Sequence, residues 1–221
     1  MRCRKITEML FALIVLSTSS AQASVILSPI SVVSNTLGNF DGNITAENLI
    51  NQTGLSLNFT SGLTDFSTYI ASNPTHADSS TSPGPGWASI NNDVLSGTLV
   101  FDLGATYALN KFVLWGDVDT QTVGLFSLDI SDDISFGAFS TLGGGTGTVS
   151  TTGTADIFTL STFSGRYVRW NIFGNLGASN LVQAGEIAFE ANAVIENEVP
   201  EPATLGIFGL ALLAIRRLKR S

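Results

Sequence analysis

The sequence predicts an all-β fold, an antiparallel β-sandwich, for the segment between its two ends. Three features carry that expectation. Apolar residues alternate with polar ones over short stretches, as in 98–103, where Leu99, Phe101 and Leu103 share one face. Gly, Asn, Asp and Ser interrupt these stretches at roughly 8 to 12 residue spacings, the rhythm of a sandwich. A helical period of apolar residues is almost nowhere to be found.

Taken in order, residues 25–33 read as a first strand broken at Pro29, which cannot donate to a ladder. Residues 39–43 (Asn-Phe-Asp-Gly-Asn) form a turn, because Asp41 and Asn43 can bond their own backbone. Residues 45–50 suit one helical turn. Residues 76–87, HADSSTSPGPGW, form a loop, since two prolines and two glycines follow one another from Pro83 to Gly86. Gly104 ends the strand at 98–103. A second strand over 107–115 is nearly continuous in apolar residues after Lys111, so it is expected to be buried on both faces. Gly124, Phe126, Leu128 and Ile130 share a face of a third strand, which stops at Ser131-Asp132-Asp133. The Gly/Thr/Ser run at 142–154 reads as a mobile loop. A short strand follows at 157–160, then an alternating one at 166–173 with Val168, Trp170 and Ile172 together. The last strand, 185–191, turns Ile187 and Phe189 inward, and an acidic linker, 192–198, follows it.

Both ends of the chain are targeting segments. Residues 1–23 carry Arg2, Arg4 and Lys5, an apolar run at 9–16, and Ala21-Gln22-Ala23. That is a signal peptide, cut by signal peptidase so that the exported chain begins at Ser24. Residues 199–221 open on Val199, Pro200, Glu201 and Pro202, continue through an uncharged stretch at 203–215, and end on Arg216, Arg217, Lys219 and Arg220. The prolines enforce an extended entry. The stretch would make a short C-terminal transmembrane helix of about 20 Å, less than the ~30 Å hydrocarbon core unless Arg and Lys snorkel. The basic end is expected on the cytoplasmic side. The exported domain is then 24–191.

Composition excludes several roles. Between residues 24 and 198 stand three basic side chains, Lys111, Arg166 and Arg169, against sixteen acidic ones, a net charge of −13. Nucleic acid and anionic lipid are therefore poor partners. The only cysteine, Cys3, lies in the leader, so the exported domain has no disulfide. The only histidine is His76, and no G-x-S-x-G or H-E-x-x-H motif is present.

The order Pro-Glu-Pro, apolar run, basic end resembles the PEP-CTERM sorting signal of Gram-negative bacteria. The resemblance implies export across the inner membrane, transient anchoring, processing by an exosortase near Pro200–Pro202, and a place at the cell surface or in the extracellular polysaccharide matrix. A second resemblance covers about 41–190. Phe101-Asp102-Leu103-Gly104, Val113-Leu114-Trp115-Gly116, Phe126 through Asp132, Gly165-Arg166-Tyr167-Val168-Arg169 and Gly185-Glu186-Ile187 come in the order of discoidin-like domains (F5/8 type C, galactose-binding-like). This implies an eight-stranded jelly roll that binds ligands through loops at one end.

The candidate sites follow. The resemblance implies a structural Ca²⁺ between an early Asp-Gly turn and a Glu on the last strand, which here are Asp41, Asn43 and Glu186; oxygen ligands of that kind suit the ion. For a sugar, Trp87 could stack on a ring face while His76 and Asp78 bond hydroxyls; the other reading of Trp87 is a core residue. Trp115 and Trp170 read as core. Asp102 is expected to fix the turn at Gly104, and Arg166 and Arg169 to make structural hydrogen bonds. The expected function is a non-catalytic carbohydrate-binding surface or biofilm-matrix protein with extracellular polysaccharide as partner. The alternatives are a secreted glycan-active enzyme such as a glycoside hydrolase, and a purely structural matrix protein.

Overall fold

The computed structural model describes residues 24–77, 84–178 and 180–193. The leader, most of the linker and the C-terminal signal lie outside the described residues. Among the described residues no helix is long and apolar enough to cross a membrane.

Among the described residues nine strands carry the fold: β1 Val25–Leu27, β2 Ser31–Asn35, β3 Trp87–Ala88, β4 Gly97–Trp115, β5 Leu125–Ser131, β6 Ser140–Thr146, β7 Ala155–Ile172, β8 Gln183–Ala184 and β9 Glu186–Ala193. A 3₁₀ turn spans Ala46–Leu49, and one short helix, α1, spans Phe66–Ala71. All pairings between strands are antiparallel. Seven strands form one sheet, ordered β1-β9-β4-β7-β5-β6 with β2 on β4, and β3 and β8 form a separate ribbon.

The two longest strands bend, and this makes the sandwich. β4 shifts register between Asp102 and Tyr107. Its first half pairs with β2, its second half with β9. Both halves pair with β7, Val100 opposite Arg169 before the bend and Val113 opposite Ile157 after it. The sheet thus folds over onto itself. Residues from both layers meet inside: Phe112 of the second half lies 5.5 Å from Trp170 and 5.4 Å from Phe126 of the opposite layer. Such edge-on aromatic contacts add to the burial of large apolar side chains. Segments 98–103 and 107–115 are therefore one strand, not two, and so are 157–160 and 166–173. Gly104 is a bend at φ +85°, a value that suits glycine, rather than a strand end.

Two further departures from the expected elements have local causes. The segment 140–146 is edge strand β6, not loop, because Leu142 is buried and the run pairs with β5. Helix α1 begins where Asp65 Oδ1 accepts the Thr68 amide, an N-cap that a six-residue helix depends on. With Phe59, Phe66 and Tyr69 it covers the outer face of the β1–β9–β4 layer against Val113, Trp115 and Ala188.

The sandwich has two distinct ends. Val25 pairs with Ala191 and Tyr107 with Ala193, so the chain enters and leaves the sandwich side by side, next to the bends of β4 and β7. The long loops, including 36–60, 116–124 and 173–182, gather at the other end, where β9 begins at Glu186.

Candidate functional site

A cleft of about 250 Å³ opens at the loop end. Its floor is the small apolar cluster Ile44, Ala88 and Leu181. Its walls are Phe40, Asn91, Gln121, Asn180 and Gln183. Each wall is held by backbone chemistry. Asp41 Oδ1 accepts the amides of Asn43 (2.7 Å) and Ile44 (2.9 Å), which closes the turn carrying Phe40 and Ile44. The Phe40 amide donates to Ala88 O on β3. Gln183 on β8 pairs with Ala88 and also donates its amide to Gln121 O. Gln121 Nε2 donates to Asn180 Oδ1 at 3.0 Å, which fixes both amide side chains. Phe40 keeps 37% of its surface exposed. Gln183 is 5% exposed, and its Oε1 is buried with no hydrogen-bond partner.

The residues expected to bind a sugar lie elsewhere. Trp87 is fully buried in the main core, its Nε1 donating to Gly38 O, so its ring offers no face to a ligand. The core reading of that residue is what the structure shows. His76 is also buried: Nδ1 lies 2.6 Å from Ala77 O and Nε2 3.0 Å from Thr53 O. Burial pulls its pKa down against the opposing pull of those two carbonyls. It closes the loop base; Gly185 leaves the room that its ring fills. Asp78 lies outside the described residues. Phe40 and the four amides were not legible as a group, because they come from five separate loop or edge positions. Only Phe40, in a polar turn with no apolar pattern around it, carried a signal.

The expected metal ligands are also distributed differently. Glu186 is fully buried and meets the turn at Gln52, whose amide donates to Oε2 at 2.9 Å. Gln52 holds φ at +62°, which aims that amide at β9. Asp41 Oδ1 serves its own turn, and Asn43 O accepts Asn48 Nδ2. Among the described residues no cluster of three His, Cys, Asp or Glu side chains could hold a metal. Glu186 Oε1 is buried without a partner. Burial pushes the Glu186 carboxyl up to about 9, against the smaller pull of the Gln52 amide. The same carboxylate, after burial, helps push up the Tyr69 phenol.

Arg166 and Arg169 do what the sequence led one to expect. Arg166 grips Asp102 with Nε and Nη2, each at 2.9 Å, and Asp102 Oδ1 also accepts the Gly104 amide at 2.7 Å. Bidentate pairing holds the Asp102 carboxyl below its usual range. Arg169 bonds Asp129 and lies over the rings of Phe136 and Phe139.

Residues 198–220 match the PEP-CTERM protein-sorting motif. The chain is similar in fold to the C-terminal domain of a chitobiase from Bacteroides fragilis: 16% identity, 76% of this chain and 99% of that one, TM-score 0.53. It is also similar to the family 32 carbohydrate-binding module of EndoD from Streptococcus pneumoniae: 13% identity, 76% and 99% of the two chains, TM-score 0.52. At these identities the likeness is one of fold, the discoidin-like sandwich. Comparison with curated protein sequences finds no match.

Proposed function

We propose that this chain is an exported surface protein, processed at the membrane by an exosortase, whose sandwich is a non-catalytic carbohydrate-binding module for extracellular polysaccharide. The sorting motif at 198–220 supports the handling. The fold supports the module only by analogy, since one fold serves many functions. The observation that carries the reading is the cleft itself. A partly exposed aromatic ring, Phe40, shares the cleft with four amides, Asn91, Gln121, Asn180 and Gln183, above an apolar floor, and Gln121 and Asn180 are bonded to each other. A sugar ring has an apolar C–H face for the aromatic and hydroxyls for amides, which both donate and accept. Among the described residues no carboxylate lines the cleft, which gives no support to the acid–base pair of a glycoside hydrolase there. The one histidine is buried with each ring nitrogen against a carbonyl oxygen.

A structural Ca²⁺ belongs to the same proposal, moved from the Asp41 turn to the Gln52 turn. The orphaned Oε1 of Glu186, fully buried, fits a hard cation bound through oxygen. The ion would keep that carboxylate ionised and brace the loop end beside β9.

Binding is tested on an oligosaccharide array with the full chain in detergent micelles. Wild type should bind a subset of glycans. Phe40→Ala, at a partly exposed position, should weaken them about tenfold or more while leaving the melting temperature nearly unchanged. A wild-type chain that binds no glycan, or a Phe40→Ala chain that binds as well as wild type, overturns the cleft as the site.

A further inference from the structure

We infer that the cleft selects uncharged sugars and excludes glycans bearing carboxylate, sulfate or phosphate groups. The inference rests on the glycan-binding reading above and adds the ligand's chemistry to it.

The first observation is the fate of the cations. Between residues 24 and 198 the chain has three basic side chains, Lys111, Arg166 and Arg169. Each is committed to a carboxylate: Lys111 to Glu190 at 2.8 Å, Arg166 to Asp102 at 2.9 Å, Arg169 to Asp129 at 2.8 Å. Two are engaged further, Lys111 over the Phe66 ring and Arg169 between Phe136 and Phe139. Among the described residues no Lys or Arg is left to meet an anion. His76 is buried with each ring nitrogen against a carbonyl oxygen. A desolvated anionic group needs a cation or several converging donors. This domain has spent its cations.

The second observation is the polarity of the cleft wall. Among the described residues its polar side chains are four amides, with no charged group. Gln121 Nε2 is already used on Asn180 Oδ1, so part of the donor capacity is consumed within the wall. Gln183 offers the opposite of what an anion wants: an acceptor oxygen, Oε1, buried and unsatisfied. Leaving such an acceptor dry is costly, and only a donor relieves it. A sugar hydroxyl or an acetamido N–H donates. A carboxylate, sulfate or ionised phosphate oxygen cannot, and it would face Oε1 as one lone pair against another. The residue itself is held in place on both sides, its main-chain amide donating to Gln121 O and its main-chain carbonyl accepting the Val123 amide.

The third observation is the long-range field. Sixteen acidic side chains against three basic ones give the exported segment a charge of −13. That field repels polyanions and leaves neutral chains unaffected.

The test measures affinity of the full chain in detergent micelles for matched pairs of oligosaccharides. One member of each pair is neutral; the other carries a uronate or a sulfate on the same backbone. Titrations are run at about 50 and about 500 mM NaCl, in EDTA and in about 1 mM Ca²⁺, since screening separates electrostatic from neutral recognition. Neutral members should bind with an affinity that changes less than about twofold with salt, and their acidic partners should bind about tenfold more weakly or not at all. Gln183→Leu, which removes the orphan acceptor and keeps the volume, should weaken the neutral sugars about tenfold. Asn91→Ala, at an exposed loop position, should weaken them too and guards against misfolding of the first variant. An acidic member that binds as tightly as its neutral partner overturns the inference and leaves the glycan-binding reading standing. Acidic sugars captured only in Ca²⁺ overturn it as well, because the ion then supplies the missing cation. If neither class binds, both fall together.

Discussion

A buried carboxylate with two oxygens needs two partners, and Glu186 has one amide. Burial therefore holds its proton on, up to about 9, whereas an unfolded chain releases it near 4.5. Between those values the folded state binds more protons than the unfolded one, so this residue makes stability fall as pH rises through the window. Ca²⁺ on the ionised form would reverse that cost. The expected result for the metal-free chain is a melting temperature that drops by several degrees from about pH 5 to about pH 9. Added Ca²⁺ should flatten the drop and release a proton on binding. Glu186→Gln, neutral at every pH, should show a shallower slope and no response to Ca²⁺. Wild type and variant with the same slope, measured by thermal melts in EDTA, would exclude a titrating Glu186. Equal wild-type melts with and without Ca²⁺ would exclude the ion. The sequence set Glu186 beside the Asp41-Gly42 turn, whereas in the structure its carboxyl meets the turn at Gln52. Asp41-Gly42 had the expected letters, whereas the turn that meets Glu186 uses Gln52 in a left-handed conformation that no side-chain pattern announces.

At the scale of elements, the bends of β4 and β7 decide the architecture. Gly165 sits in the second bend, where an added Cβ would lie 2.7 Å from Ile130 Cγ1 and 3.0 Å from Ser131 backbone atoms. Backbone cannot yield as a flexible side-chain tip can. Gly165→Ala should therefore cost about 1–3 kcal/mol, seen as a lower denaturant midpoint with unchanged slope. Gly42→Ala is the control: an added Cβ there meets nothing within 4 Å, and stability should shift by no more than about 0.5 kcal/mol. A Gly165→Ala chain as stable as the control would mean the two layers can part at the bend. The strands themselves were legible, because Leu99, Phe101 and Leu103, and again Val168, Trp170 and Ile172, alternate cleanly. Their continuity was not, since Gly104 signals an end and a bend with the same letter. β6 escaped for a related reason: Ser140–Thr146 holds three glycines, and only Leu142 marks an inner face.

At the scale of the whole molecule, composition proved more informative than any motif inside the domain. Three cations among sixteen acids was visible in the sequence, but that each cation is consumed by a carboxylate is a property of the fold. The cleft was invisible, because Phe40, Asn91, Gln121, Asn180 and Gln183 meet only when the β3–β8 ribbon is in place.

The same topology sets which end of the domain the C-terminal segment leaves from. β9 runs from Glu186 at the loop end to Ala193 at the bend end, eight residues or about 26 Å of extended chain. The sorting motif begins five residues later, at 198. Were the apolar run at 203–215 seated in a bilayer, as the sequence leads one to expect, the bend end would lie nearest the membrane and the cleft would point away from it. Inverting the domain would need the nine residues 194–202, reaching at most ~31 Å, to run fully stretched along its side. Glycan binding should therefore not wait for processing. With the only cysteine, Cys3, replaced by Ser, single labels can be placed at Ser164→Cys and Asn91→Cys. Ser164 pairs with Ala108, which pairs with Asn192 beside the exit of the chain, while Asn91 lines the cleft. In bilayer-reconstituted full chain, a quencher at headgroup depth should dim the Ser164 label strongly and the Asn91 label little. Neutral oligosaccharide should bind the anchored chain with the affinity of the detergent-solubilised one. Equal quenching at the two positions, or stronger quenching at Asn91, would mean the domain lies over or inverts on the membrane, and the cleft would then open only once the chain is cut free.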